Sequence, residues 1–389
     1  MKIKQIEIVD IHVPGRSATT KSRRSSWLST TQKALPLNKY SEFSQPGVNM
    51  PGYDESPLWV RITSEDGTCG LGRCGYGSVT GSMIEQVFIP LLIGRDCFAT
   101  EFLNDLMWRA NQRLGVEGHA TIAQSAIDLA LWDLKGKLLE QPVFRLLGGP
   151  CREKIQTYAS TDDLDWALEL GFTAFKISNP VHYDDGIEGL NRLEEKVALA
   201  RETVGPDAEL MLNPVMSYNL AFSIQVAERL QPYQLSWLEE PLPPANLSGH
   251  QKLKEAVPWL PIATGEDHHG RHAFARLIEN HCVDIVQPDI CWCGGLTEAV
   301  KIYTLAEAAG LQTSPHIAAS TPYGQHFSLA MPECSRAEFW LASDPGIPLS
   351  ESNNLPGMAV PVDGFVTPSD APGFGFEIQP EWITPKAAR

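Results

Sequence analysis

From residue 155 onward the chain repeats one alternation, a short β-rich run followed by a helical stretch. Eight runs can be counted: IQTYAS, AFKIS, AELMLNP, LSWLEEP, PIATGE, DIVQPD, LQTSPH and EFWLAS. Between them lie amphipathic segments such as ALARETVG, IQVAERL, AFARLIEN and TEAVKIYTLAEAAG, giving a repeat of about 20 to 30 residues. The runs are nearly continuous in apolar residues, as strands buried on both faces are, and this favours a parallel sheet covered by helices. Eight β/α units close most economically as a (β/α)8-type barrel, so the predicted fold class is α/β.

The remainder of the 389 residues needs at least one more unit. Residues 1–120 read as an α+β domain: residues 3–13 alternate as a strand, SPLWVRITSEDGTCGLG gives two strands around Glu65-Asp66-Gly67, and residues 80–117 carry helical periodicity. The polar stretch 15–57 is too long for an ordinary turn and is either a disordered insert or a working lid. The barrel is assigned to residues 121–344, opening with the helix TIAQSAIDLALWDLKGKLLE. The Pro- and Gly-rich tail 345–389 is expected to return to the first domain.

Lys+Arg 31 against Asp+Glu 47 leaves a net charge of −16, which disfavours nucleic acid and anionic membrane faces as partners. A small anionic substrate stays open, because a cation in a pocket inverts the local sign. No apolar stretch of about 18 residues or more is present. The eight cysteines (69, 74, 97, 151, 282, 291, 293 and 334) lack the spacings of a zinc site or a disulfide scaffold, and a cytoplasmic enzyme with reduced thiols is expected.

In such barrels the chemistry sits where strands end at the C-terminal face. The strand tips here are Lys176, Asn213, Glu239, Glu266, Asp289, His316 and Glu338. Each alone is as consistent with capping a strand edge as with function; seven polar tips converging on one mouth call for a metal and an anionic substrate. Asn213, Glu239 and Glu266 offer hard oxygens from three consecutive strands, a set suited to Mg²⁺ and weakened by the amide at its first position. Glu240 should point to the opposite strand face as a structural partner. Asp289 beside His316 would fix its tautomer and raise its pKa, making it a general base. Lys176 either places an ammonium near the metal-bound carboxylate or forms a salt bridge.

These motifs, with IDLALWDLKGK, VFRLLGG, DIVQPDICWCGGLTEAVKI and PGFGFEI, resemble the enolase superfamily, mandelate racemase subgroup, and within it the dehydratases of L-rhamnonate-like aldonates. The resemblance covers most of the chain. It implies an enolase-like, modified TIM barrel under an α+β capping domain completed by the C-terminal tail. It also implies Mg²⁺ on three strand-tip residues and removal of the proton α to a carboxylate through an enediolate.

Glu239 and Glu266 match the second and third family ligands, Asp289 and His316 the dyad, and Glu338 the glutamate that hydrogen-bonds the substrate carboxylate, a donor to the developing charge if protonated. Asn213 stands where most members have Asp, and Ser178 where racemases have a second base. One base suffices for dehydration, so the expected activity is that of a carbon–oxygen lyase, a sugar-acid hydro-lyase yielding a 2-keto-3-deoxy acid. The alternatives are an epimerase or cycloisomerase on a related carboxylate, or a catalytically weak sugar-acid-binding protein. Family members contact substrate through a His and an Arg in the cap; neither aligns here, leaving Arg23, Arg24, Lys39 and Tyr53 as substitutes. A homo-oligomer is expected.

Overall fold

The structure is a computed structural model and describes residues 1–15, 19–31, 33–43, 56–352 and 355–386. The N-terminal unit contains strands β1 (Ile3–Ile11), β2 (Leu58–Ser64) and β3 (Cys69–Cys74). Helices α1 (Gly77–Met83), α2 (Ile89–Leu92), α3 (Thr100–Ala110), α4 (His119–Leu138) and α5 (Val143–Leu146) follow. β2 and β3 pair antiparallel across the expected turn, where Gly67 takes φ 92° and Asp66 Oδ1 accepts the Thr68 N–H at 3.0 Å.

All eight apolar runs fall on strands. They are β4 (Ile155–Ser160), β5 (Ala174–Ser178), β6 (Glu209–Asn213), β7 (Trp237–Glu239), β8 (Ile262–Thr264), β9 (Ile285–Val286), β10 (Gln312–Thr313) and β11 (Arg336–Trp340). Between and after them run α6 (Leu164–Glu169), α7 (Gly186–Val204), α8 (Leu220–Leu230), α9 (Leu247–Ala256), α10 (Arg271–Glu279), α11 (Leu296–Ala308) and α12 (Pro322–Ala330). Asn219, Asn246 and Thr321 cap α8, α9 and α12, each side chain accepting a first-turn N–H. The strands are parallel in the order β10-β9-β8-β7-β6-β5-β4-β11. No ladder joins β10 to β11 among the described residues; there Glu338 Oε2 accepts the Ile317 N–H at 3.1 Å and Ser320 Oγ accepts the Trp340 N–H at 2.8 Å.

The tail does come back. β12 (Phe365–Val366) pairs antiparallel with β4, and β13 (Ile383–Pro385) adds a fourth strand to the N-terminal sheet beside β1. Phe376 packs edge-on against Trp59 of β2.

Helix α4 crosses the division drawn at residue 120. Its residues Ile122, Ala123, Ala126, Ile127, Ala130, Leu131 and Leu134 belong to the N-terminal core, whereas Leu129 belongs to the barrel core. The CGLGRC strand explains the close fit: a Cβ on Gly72 would stand 2.0 Å from the Ala126 carbonyl oxygen, so strand backbone lies directly on helix backbone. Asp133 joins the pieces. It is fully buried and accepts the Leu71 N–H at 2.8 Å, the Phe374 N–H at 3.0 Å and Lys137 Nζ at 2.7 Å, tying β3, the tail and α4 together. Among the described residues no helix is long and apolar enough to cross a membrane.

Replacing Asp133 by Ala leaves two buried N–H groups without an acceptor and leaves the Lys137 ammonium with the Cys69 carbonyl. The expected loss is about 3 kcal/mol, read by urea unfolding; a loss under about 1 kcal/mol would show that the three segments do not depend on this carboxylate.

Candidate active site

Alternation along the strands builds the site. Tyr158, Ala174, Met211, Trp237, Ala263 and Ile285 pack as one buried cluster, an apolar floor drawn from β4 to β9. Two residues further along each strand, the same face carries Ser160, Lys176, Asn213, Glu239, Gly265 and Gln287. The polar layer therefore sits directly above the floor, at the strand exits.

Lys176 is the charge centre of that layer. Its ammonium lies between Glu239 and Glu338, 2.8 Å from Glu338 Oε1, and all three side chains are buried. Burial alone would discharge Lys176; the two carboxylates outweigh it and hold its pKa well above the ordinary value. Burial likewise would raise Glu338, but the Lys176 ammonium and His316 reverse this and hold it at about 2. Glu338 is thus ionised, and the expectation of a protonated donor is corrected: its charge is fixed by Lys176. The salt-bridge reading of Lys176 is the one realised.

Glu239 is saturated. Oε1 also accepts Asn213 Nδ2 at 2.9 Å, and Oε2 accepts Trp237 Nε1 at 3.0 Å and Gln287 Nε2 at 2.7 Å. Glu266 stays open to the pocket, its Oε1 3.6 Å from His316 Nε2, and burial raises its pKa to about 7 against the pull of His316 and Lys176. Glu240 departs from expectation. A left-handed backbone (φ 43°) ends the strand alternation there, and its carboxylate reaches Glu266 and Asp267, the three offering oxygens within 4.8 Å of one another. Both Glu240 oxygens are buried and without a hydrogen-bond partner. Hard, clustered carboxylate oxygens with an unpartnered buried member fit a divalent cation such as Mg²⁺.

Asp289 and His316 meet as expected. His316 Nδ1 lies 2.7 Å from Asp289 Oδ2, while Asp289 Oδ1 accepts the Cys291 N–H at 2.6 Å. Burial would lower the imidazole pKa, but Glu266 and the bond to Asp289 raise it to about 10. Nε2 faces the pocket. Ser178 is occupied elsewhere, its Oγ donating to Asp162 Oδ2 at 2.6 Å and accepting Lys196 Nζ at 2.9 Å.

The pocket encloses about 480 Å³, a volume suited to a small molecule. Its roof comes from the N-terminal unit: Trp27, Lys33 and Leu35 from the polar stretch, and Arg73, Gly75 and Tyr76 from the end of β3. Trp27 anchors this roof, donating Nε1 to the Leu341 carbonyl and its N–H to Asp163 Oδ2, both at 2.8 Å. Lys33 Nζ stands 4.4 Å from the Trp27 ring and 4.2 Å from the Trp340 ring, and burial lowers its pKa to about 8. The residues described between 19 and 43 thus act as a lid laid over the barrel mouth.

Two family descriptions match the chain: "Mandelate racemase / muconate lactonizing enzyme, N-terminal domain" over residues 53–148 and "Enolase C-terminal domain-like" over residues 161–382. The chain belongs to the mandelate racemase subgroup of the enolase superfamily. An L-rhamnonate dehydratase of Saccharopolyspora erythraea is 34% identical over 98% of this chain and 97% of its own. The crystal structure of L-rhamnonate dehydratase from Gibberella zeae, also solved complexed with Mg, has a TM-score of 0.88 at 32% identity, covering 99% of this chain and 96% of that one. The 3,6-anhydro-D-galactonate cycloisomerase of Zobellia galactanivorans reaches a TM-score of 0.78 at 26% identity, covering 99% and 100%.

Within this mandelate racemase-type frame the strand-tip residues converge, and the cap residues chosen from sequence do not. Arg24 pairs with Asp163 and Asp165, and Arg23 with Glu169, so both fasten the lid to the loop and helix after β4 instead of facing the pocket. Lys39 is exposed beside the Tyr183 ring, outside the pocket. Tyr53 lies outside the described residues. Lys33, Arg73 and Gln287 went unnoticed in the sequence. Gln287 was readable, since it shares the face of Asp289 two residues on; Lys33 and Arg73 carry no periodic signal.

The depressed pKa of Glu338 is a stability statement. Its contribution is fully present above the ordinary glutamate pKa near 4.5 and is lost as pH falls toward about 2. Urea unfolding from pH 6 to 2 is expected to lose of the order of 3 kcal/mol to this group. Glu338→Gln should flatten that limb, and an unchanged slope in the variant would contradict the assignment.

Proposed function

We propose that this protein is a Mg²⁺-dependent hydro-lyase that removes water from an aldonate and releases a 2-keto-3-deoxy acid, with His316 as the single base and acid. The observation that carries the reading is the His316–Asp289 pair, 2.7 Å apart, with Nε2 aimed into a pocket that holds no second base at Ser178. The relatives named L-rhamnonate dehydratase at 34% and 32% identity support the reaction class.

Asp289 fixes the imidazole through Nδ1 and leaves Nε2 to take the C2 proton. The electrons of the C2–H bond enter the enediolate. As it collapses the C3–O bond breaks, Nε2 returns the proton to the departing hydroxyl as water, and the resulting enol becomes the 2-keto acid. Glu266 would help hold Mg²⁺, which would supply positive charge to the substrate carboxylate. Lys176 offers its ammonium to the carboxylate end of the substrate in a field that needs no rearrangement during reaction, and Glu338 holds that ammonium in place. Lys33 and Arg73 meet the far end of the substrate from the lid and β3.

A panel of aldonates and aldarates, assayed for 2-keto acid with Mg²⁺ and with EDTA, tests this. Turnover that stops in EDTA is expected; metal-independent turnover, or C2 deuterium exchange without water loss, would overturn it, the latter in favour of an epimerase. His316→Asn should lower kcat by about 10²–10⁴-fold with the fold retained. Lys33→Met should raise KM about tenfold with kcat nearly unchanged, the signature of binding lost equally in ground and transition states. Equal losses of kcat and kcat/KM in Lys33→Met would instead assign Lys33 to the chemical step.

A further inference from the structure

Ser178 ends β5 on the face that carries Ala174 of the floor and the Lys176 ammonium, and it lines the pocket. Behind it lies a charged pair that the proposed chemistry does not use. Asp162, from the loop after β4, accepts the Ser178 N–H on Oδ1 at 3.0 Å and the Ser178 hydroxyl on Oδ2 at 2.6 Å. Lys196, from α7, donates to the same Oδ2 at 3.0 Å and to Ser178 Oγ at 2.9 Å. Both side chains are largely buried, and Asp162 also draws the Lys33 ammonium of the lid.

This arrangement fixes what Ser178 can say to a ligand. A serine hydroxyl has one hydrogen and two lone pairs. Here the hydrogen is committed to a carboxylate, which only accepts, and one lone pair to an ammonium, which only donates. A single lone pair is left for the pocket. An unconstrained hydroxyl turns to suit donors and acceptors alike; this one is held as an acceptor, and the group it selects is a hydroxyl able to donate.

The strand order places β5 two strands from the His316 segment on one side, across β4 and β11, and four strands on the other, so Ser178 meets the substrate from a different wall than the imidazole does. In the dehydration the oxygen on C2 becomes the keto group and the hydroxyl on C3 leaves. The first hydroxyl that can keep one partner from binding to release is therefore on C4.

We infer that Ser178, positioned by Asp162 and Lys196, is a specificity residue that accepts a hydrogen bond from the C4 hydroxyl of the sugar acid. This rests on the dehydratase reading above.

Steady-state kinetics of the full-length protein with Mg²⁺, on the aldonate that it converts and on the 4-deoxy analogue of that acid, test the inference with 2-keto acid as the readout. Wild type should lose at least about tenfold in kcat/KM when the C4 hydroxyl is removed, because a polar site built for a hydroxyl is then left unpaired. Ser178→Ala should lose a similar factor on the full substrate, chiefly through KM, and should distinguish the two acids by no more than about twofold. Ser178→Thr, which keeps the hydroxyl, should keep most of the discrimination. Lys196→Met, which loosens the Asp162–Ser178 pair, should give an intermediate ratio with kcat nearly unchanged. Equal kcat/KM for the two acids in wild type, or a wild-type ratio in Ser178→Ala, overturns the inference while leaving dehydration intact; a wild-type ratio in Lys196→Met overturns the positioning role. If Ser178→Ala does not fold, the comparison of the two acids in wild type decides alone. Failure of wild type to release 2-keto acid from any aldonate would overturn the dehydratase reading and this inference with it.

Discussion

One buried ammonium organises the barrel mouth. Lys176, on β5, sits between Glu239 from β7 and Glu338 from β11, so a single cation neutralises two carboxylates that could not otherwise be buried together. Removing it would strand both anions in an apolar surround built on Tyr158 and Trp237. It holds Glu338 ionised and draws Glu239 into a saturated network of hydrogen bonds. Among the described residues of this layer, Glu266 and the Nε2 of His316 are left to the pocket. The chemistry of the site is set by which polar groups are already satisfied as much as by which are present.

The scaffold carries strain where that chemistry sits. Non-glycine residues with left-handed backbone include Val215 and Met216 after β6, Glu240 after β7, Ile317 after β10 and Tyr76 after β3, all at strand exits around the mouth. Each such residue costs of the order of 1–3 kcal/mol and persists only where surrounding structure over-determines it. That support comes from a rigid layer below and a fastened lid above. The lid is held by Arg23, Arg24 and the Trp27 bonds to Asp163 and Leu341, so that Lys33 is presented to the pocket from a segment without regular strand or long helix.

How much of this was legible in the sequence follows from periodicity. The eight strands were readable because burial on both faces removes the polar alternation, and the strand tips were readable because period two places residues such as Glu239 and Gln287 on the side of the floor. The domain boundary was less so: α4 is buried nearly all round, and a helix without a polar face does not announce which core it serves. Glu240 follows the strand with a left-handed backbone, and its approach to Glu266 and Asp267 is not something strand alternation can foretell. Arg24 looked free in a polar stretch, but two aspartates after β4 claim it, a pairing between residues some 140 positions apart that no local pattern reveals. Lys33 was invisible for the same reason, since its aromatic partner Trp340 comes from the last barrel strand.

The account stands on one imidazole reaching the carbon beside a carboxylate. A crystal structure of the His316→Asn protein, soaked with Mg²⁺ and the sugar acid that the native protein converts, measures this directly. The account predicts C2 within about 3.5 Å of the residue 316 side chain, with the substrate carboxylate toward Glu266 and Lys176. A substrate seated with C2 facing Ser178 or Lys33, and residue 316 beyond reach, would contradict it.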